Sequence, residues 1–205
     1  MEWEEVDKIL KNQIENQPKL EQGLIQINER LKLHQLPILE LDLEVMAREF
    51  NSWLKELLEQ EPLPPGVKSI YFGINHLSFP EIDSGKEQTT IYMAGSPFQP
   101  HKNPDWAAAC TFYPDRRYLI LEAFNQLGNK IREGKLSPDY EVLSLNGMLN
   151  LLLMNSLGNF RETLLEYETK SWGLFSKRKE RKSLYVGAGF DAGDVYVLME
   201  LKKPQ

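Results

Sequence analysis

Apolar positions recur at helical spacing through the first sixty residues. Trp3, Val6, Leu10 and Ile14 form one series; Leu20, Leu24, Ile27 and Leu31 form a second, with Pro18 between them. The third series is the longest. Leu43, Met46, Ala47, Phe50, Trp53, Leu54, Leu57 and Leu58 line one face, opposite Glu44, Arg48, Lys55, Glu56 and Glu59. Helix ends at Glu61-Pro62-Leu63-Pro64-Pro65-Gly66, because proline has no amide hydrogen to continue the ladder. Residues 1–62 are thus predicted to be a helical segment.

The texture then changes. Residues 68–77 and 88–93 are rich in aromatic and β-branched side chains, and Pro80, Asp83, Ser84 and Gly85 lie between them, which predicts a hairpin. A third strand is predicted over 106–113, with Ala108, Cys110 and Phe112 on one face. A helix is expected from about 116 to 133 through Ile120, Phe124, Leu127 and Ile131, stopped by Gly134. Ser137-Pro138-Asp139 starts another, with a capping hydroxyl, a proline and an acid in the right order. It runs to about Met154 and resumes over 159–170, past a break at Gly158. Ser183–Phe190 and Val195–Lys202 flank Asp191-Ala192-Gly193-Asp194 and predict a closing hairpin. Strands joined by turns rather than helical crossovers predict an α+β fold. Its sheet has about five mainly antiparallel strands, with helices on one face. Residues 1–62 would pack on a main domain of 67–205.

Composition narrows the function classes. An apolar share of 41% in 205 residues can build a real core, and a net charge of -6 disfavours general nucleic-acid binding while suiting a basic partner. Cys110 is the single cysteine, so neither an internal disulfide nor a multi-cysteine zinc site can form, and a reducing compartment is expected. Met1-Glu2-Trp3-Glu4-Glu5 lacks the basic start of a secretory signal. The most apolar stretch, 143–157, is too short for a bilayer and is interrupted by Asn146, Asn150 and Asn155. A cytoplasmic protein with no membrane partner is the expectation.

Candidate chemistry is sparse. Cys110 could be a nucleophile if a base such as His101, oriented by Asp105, held it as thiolate; a packed strand cysteine is the simpler reading. His34, His76 and His101 have no metal-motif spacing, and no cofactor motif is present. Gly187-Ala188-Gly189-Phe190-Asp191-Ala192-Gly193 has the wrong spacing for a phosphate loop and precedes a strand, so its glycines point to turn geometry or close backbone contact. Asp191 and Asp194 are too few for a calcium site and could instead meet a basic partner. Lys177-Arg178-Lys179-Glu180-Arg181-Lys182, after Trp172 and Phe175, reads as a solvated linker, with contact to phosphates or an anionic membrane as the competing use. The proline-bounded loop 95–106 offers Phe98, His101, Asp105 and Trp106 as binding residues, against the alternative that Phe98 and Trp106 only plug the sheet edge.

Several segments together resemble the small α+β immunity proteins of bacterial polymorphic toxin systems and related uncharacterised bacterial domains. They are the amino-terminal helices, Ser69-Ile70-Tyr71-Phe72-Gly73, Ile91-Tyr92-Met93-Ala94-Gly95-Ser96, Asp105-Trp106 leading to Tyr113-Pro114, and Gly189-Phe190-Asp191-Ala192-Gly193-Asp194-Val195-Tyr196. The likeness spans about residues 67–202. It implies a cytosolic, non-catalytic protein that binds and blocks a toxin. Independently of the resemblance, the acidic balance, the missing catalytic motifs and the aromatic loop point to a protein partner, a basic toxin among the candidates, met by loop 95–106 and the turn at Asp191 and Asp194. Two other expectations stand beside it: a small hydrolase or transferase using Cys110 or the His101/Asp105 pair, and a structural or regulatory subunit assembling through residues 1–60.

Overall fold

The computed structural model describes residues 2–78, 86–170, 176–191 and 193–203. The predicted turn around Pro80 to Gly85, and Trp172, Phe175 and Ala192, lie outside the described residues. Helices α1 (Trp3–Asn16), α2 (Leu20–Leu33) and α3 (Leu43–Gln60) follow the three apolar series. The α3 start is fixed by Asp42, whose carboxylate accepts the Val45 amide at 3.0 Å, a cap worth about 1 kcal/mol.

Strands β1 (Ser69–Ser78) and β2 (Glu87–Ser96) form the predicted hairpin, and β6 (Ser183–Phe190) and β7 (Val195–Lys202) the closing one. The sheet is α+β and mostly antiparallel: five strands in the order β3-β2-β1-β6-β7, where β3 is Tyr118–Leu119. Among the described residues only the β1–β6 pair runs parallel: β2, β3, the helices within 122–165 and the strand pair within 166–180 intervene in sequence, and the chain returns to the edge of β1 opposite β2.

Alternation divides the sheet into two faces. Ile70, Phe72 and Ile74 of β1 stand with Ile91 and Met93 of β2 and with Leu184, Val186 and Ala188 of β6 in the buried core. Helices cover this face. Helix α4 (Glu122–Arg132) lies over β2. A long helical run, α5 (Pro138–Glu141), a π-helical turn (Val142–Asn146), α6 (Gly147–Ser156), a 3-10 turn (Leu157–Phe160) and α7 (Arg161–Leu165), fills the centre. Val6, Leu10, Ile27, Leu31 and Phe50 from α1 to α3 join Leu149, Leu152 and Leu153 of α6 in the same cluster. Each such fully buried side chain contributes about 1.5–3 kcal/mol of apolar burial.

Four expectations need correction. The third strand is not at 106–113. Residues 99–109 form consecutive turns, with the Lys102 and Asn103 amides donating to Gln99, Trp106 to Asn103 and Ala109 to Asp105, and only Phe112 bridges to Gly95. Second, the following helix begins at Glu122 rather than 116, since the preceding backbone is committed elsewhere. The Asp115 and Arg116 amides donate to the Glu61 carboxylate (2.9 and 3.2 Å), Trp53 Nε1 donates to the Arg116 carbonyl (3.1 Å), and the Met93 amide donates to Arg117. Third, helix ends at Leu165, and Glu166–Lys170 is strand β4. Fourth, the basic run is no linker: Ser176–Glu180 is strand β5, paired antiparallel to β4. Arg178 remains outward and solvated, but Arg181 is buried. Its guanidinium donates to the carbonyls of Leu164, Leu63 (3.2 Å) and Pro64 (3.0 Å) and lies 5.4 Å from the centre of the Tyr167 ring. Burial pulls its pKa down to about 10, so it stays charged at neutral pH.

Candidate functional site: a tyrosine-lined acidic cleft

The face of the sheet turned away from the helices carries Tyr71, Gly73 and Asn75 from β1, and across the strand pair Tyr92 and Thr90 from β2. Tyr118 stands beside Tyr92 on β3, and Gly187 beside Tyr71 on β6. The 97–117 loop folds over one end of this face. Together they enclose an open cleft of about 630 Å³.

Its floor is a row of rings. Trp106 meets Tyr71 edge-on at 6.2 Å, Tyr71 meets Tyr92 at 5.9 Å, and Tyr92 meets Tyr118 at 6.1 Å. Offset and edge geometries such as these satisfy the ring quadrupoles. Two glycines make room for them. A Cβ on Gly73 would lie 2.1 Å from a Tyr92 ring carbon, and one on Gly187 would lie 2.7 Å from the Trp106 ring. The strand glycines of this chain thus serve close packing, as the failed phosphate-loop spacing implies.

Asp191, at the tip of the β6–β7 hairpin, is the polar centre. The Tyr92 hydroxyl donates to its Oδ1, Asn75 Nδ2 donates to its Oδ2 at 3.3 Å, and its own amide donates to the Ile74 carbonyl at 3.2 Å. Asn75 is in turn held by the Thr90 hydroxyl, which donates to its Oδ1. Burial, reinforced by that bond to Asp191, raises the Tyr92 phenol far above its ordinary value, and burial does the same to Tyr71. Both phenols are therefore neutral at any physiological pH. Asp105 and Asp194 also line the cleft, so three carboxylates face one guanidinium, that of Arg117. Arg117 lies 4.7 Å over the Tyr118 ring and 5.8 Å from that of Tyr113 and donates to the Pro114 carbonyl at 3.1 Å.

Of the residues singled out from sequence, Asp105, Asp191 and Asp194 come together here. Trp106 is buried and supports the floor through Tyr71 and Gly187. Phe98 is 43% exposed outside the cleft, its carbonyl accepting from Ser69, and His101 packs its ring on Tyr185 at 5.6 Å. Cys110 is half-buried, and burial pushes its thiol up to about 11, which keeps it protonated rather than poised as a thiolate. No group of three His, Cys, Asp or Glu able to hold a metal occurs among the described residues, and no helix among them is long and apolar enough to cross a membrane. Sequence reasoning missed Tyr71, Asn75, Tyr92, Tyr113, Arg117 and Tyr118. The signal for Tyr71 and Tyr92 was present: each alternates with core isoleucine, phenylalanine or methionine, which places its ring on the opposite face.

Comparison with models of protein families, with curated proteins and with solved structures found no match for this chain.

Proposed function

We propose that this protein acts by binding a partner protein, and that a basic side chain of the partner enters the tyrosine-lined cleft. The observation that carries this reading is the pairing of neutral, electron-rich rings with three carboxylates in one concave site. Aromatic faces attract a guanidinium or ammonium by about 0.5–2 kcal/mol, and a charge-assisted hydrogen bond to carboxylate adds about 1.5–3 kcal/mol. Arg117 already shows the chemistry in miniature, because its guanidinium rests against two of the rings. The net charge of -6 draws a cationic partner from a distance. An immunity-type role, binding and blocking a basic toxin, is the biological form that this recognition would take.

The test is equilibrium binding of a fluorescent arginine-containing peptide and its glutamate counterpart. The basic peptide should bind, the acidic one should not, and the double variant Asp191→Asn/Asp194→Asn should weaken binding about tenfold or more, as expected for losing a charge-assisted contact. Equal affinity for both peptides, or an unchanged affinity in the double variant, contradicts the proposal.

A further inference from the structure

A second cavity, of about 560 Å³, adjoins the tyrosine cleft and shares Asn75, Asp191, Gly193 and Asp194 with it. Its walls are mostly apolar: Leu77 from β1, Val142 from the π-helical turn, Phe190 and Tyr196 from the closing hairpin, and Trp3 at the lip. Trp3 is a large apolar side chain left 41% exposed there.

Asn146, the last residue of the π-helical turn, also lines this cavity. It is 1% exposed, and its Oδ1 has no hydrogen-bond partner. A buried acceptor without a donor is costly, and native proteins rarely leave one without a reason. The local helix is also widened. The Ser144 hydroxyl donates to the Tyr140 carbonyl, the acceptor that an α-helical ladder would give to the Ser144 amide, and π-turns of this kind cluster at functional sites. The cavity mouth carries Glu141, Asp191 and Asp194. Glu141 Oε1 contacts His76 Nε2 at 2.8 Å, and the other ring nitrogen of His76 contacts Arg132 at 2.8 Å, so the histidine at the mouth is already engaged on both sides.

We infer that this cavity binds a small primary amine with an apolar body, the body lying among Leu77, Val142 and Phe190 and the amine donating to Asn146 Oδ1 or the mouth carboxylates. Apolar walls with a few convergent polar groups are the usual form of a small-ligand site, and the carboxylates of Glu141, Asp191 and Asp194 on its lining favour a cationic head group over an anionic one. The inference does not rest on the proposed partner binding.

Three probes with one ring in common test it: 2-phenylethylamine, 2-phenylethanol and 3-phenylpropionate, each titrated into the full-length protein and followed by calorimetry. The amine should bind saturably, the alcohol more weakly, and the acid at least about tenfold more weakly than the amine, since its charge faces carboxylates. Val142→Trp, which fills the cavity, should abolish amine binding. Asn146→Ala removes the carboxamide without adding volume; it should weaken the amine about fivefold while leaving the denaturation midpoint little changed, because the loss of an unpaired polar atom offsets the loss of packing. Asp105→Asn, on the tyrosine cleft only, should have no effect. Absence of saturable binding, a preference for the acid, or loss of binding in Asp105→Asn with retention in Asn146→Ala would each overturn the inference.

Discussion

Gly73 and Gly187 set the depth of the cleft floor, and each makes a distinct prediction. A Cβ at Gly187 would meet the Trp106 ring at 2.7 Å and the Tyr196 carbonyl at 2.8 Å, and the backbone cannot swing aside. Gly187→Ala should therefore lower stability by about 1–3 kcal/mol in a urea melt, the usual cost of overpacking. At Gly73 the obstacle is the Tyr92 ring, a side chain bordering open cleft. Gly73→Ala should displace that ring, weakening peptide binding more than folding. Cys110 gives a pH signature. Burial raises its thiol from 9.0 to about 11, so the unfolded chain ionises first. The stabilisation from keeping the thiol neutral is complete below pH 9 and is lost as pH rises through about 11. Urea melts across that window should show a decline that is shallower in Cys110→Ala, and a decline of identical slope in the variant would contradict the assignment.

Among the elements, the helices α1 to α3 and the two hairpins were legible because a local period determines them. Each apolar stripe or alternation is complete within its own segment. The elements that escaped are settled by distant partners. Strand β3 exists because Tyr92 and Ile91 pair with Tyr118 and Leu119, and because Glu61 and Trp53 occupy the backbone just before it. Strand β4 exists because β5 lies beside it, although its own residues fit a helix equally well. The cleft was half legible for the same reason. Its carboxylates sit in turn sequences that announce themselves, whereas its tyrosines read as ordinary strand residues until the sheet has a covered and an open face. Arg181 is the tie at this scale, joining the end of α7, the segment after α3 and β4. Arg181→Met should cost about 3 kcal/mol by leaving three carbonyls without their donor, seen as a lower urea midpoint.

At the scale of the whole molecule, one continuous apolar cluster runs from Val6 in α1 to Leu201 in β7. The helices are the far wall of the core that holds the sheet flat-side down and leaves its tyrosine face open. Deleting residues 1–60 should thus abolish the native near-ultraviolet circular dichroism of the remaining chain, and the intact protein should unfold in one transition by far- and near-ultraviolet signals alike. A sheet segment that kept its tertiary signal without the helices would refute this. The claim beneath the functional reading is that the rings and carboxylates of this open face recognise positive charge. Amide chemical-shift mapping with N-acetyl-arginine amide, set against its neutral citrulline counterpart, tests it most directly. Saturable shifts centred on Tyr71, Tyr92, Tyr118 and Asp191 are expected for the arginine compound and negligible ones for citrulline. Equal shifts for the two compounds, or shifts centred on another surface, would contradict it.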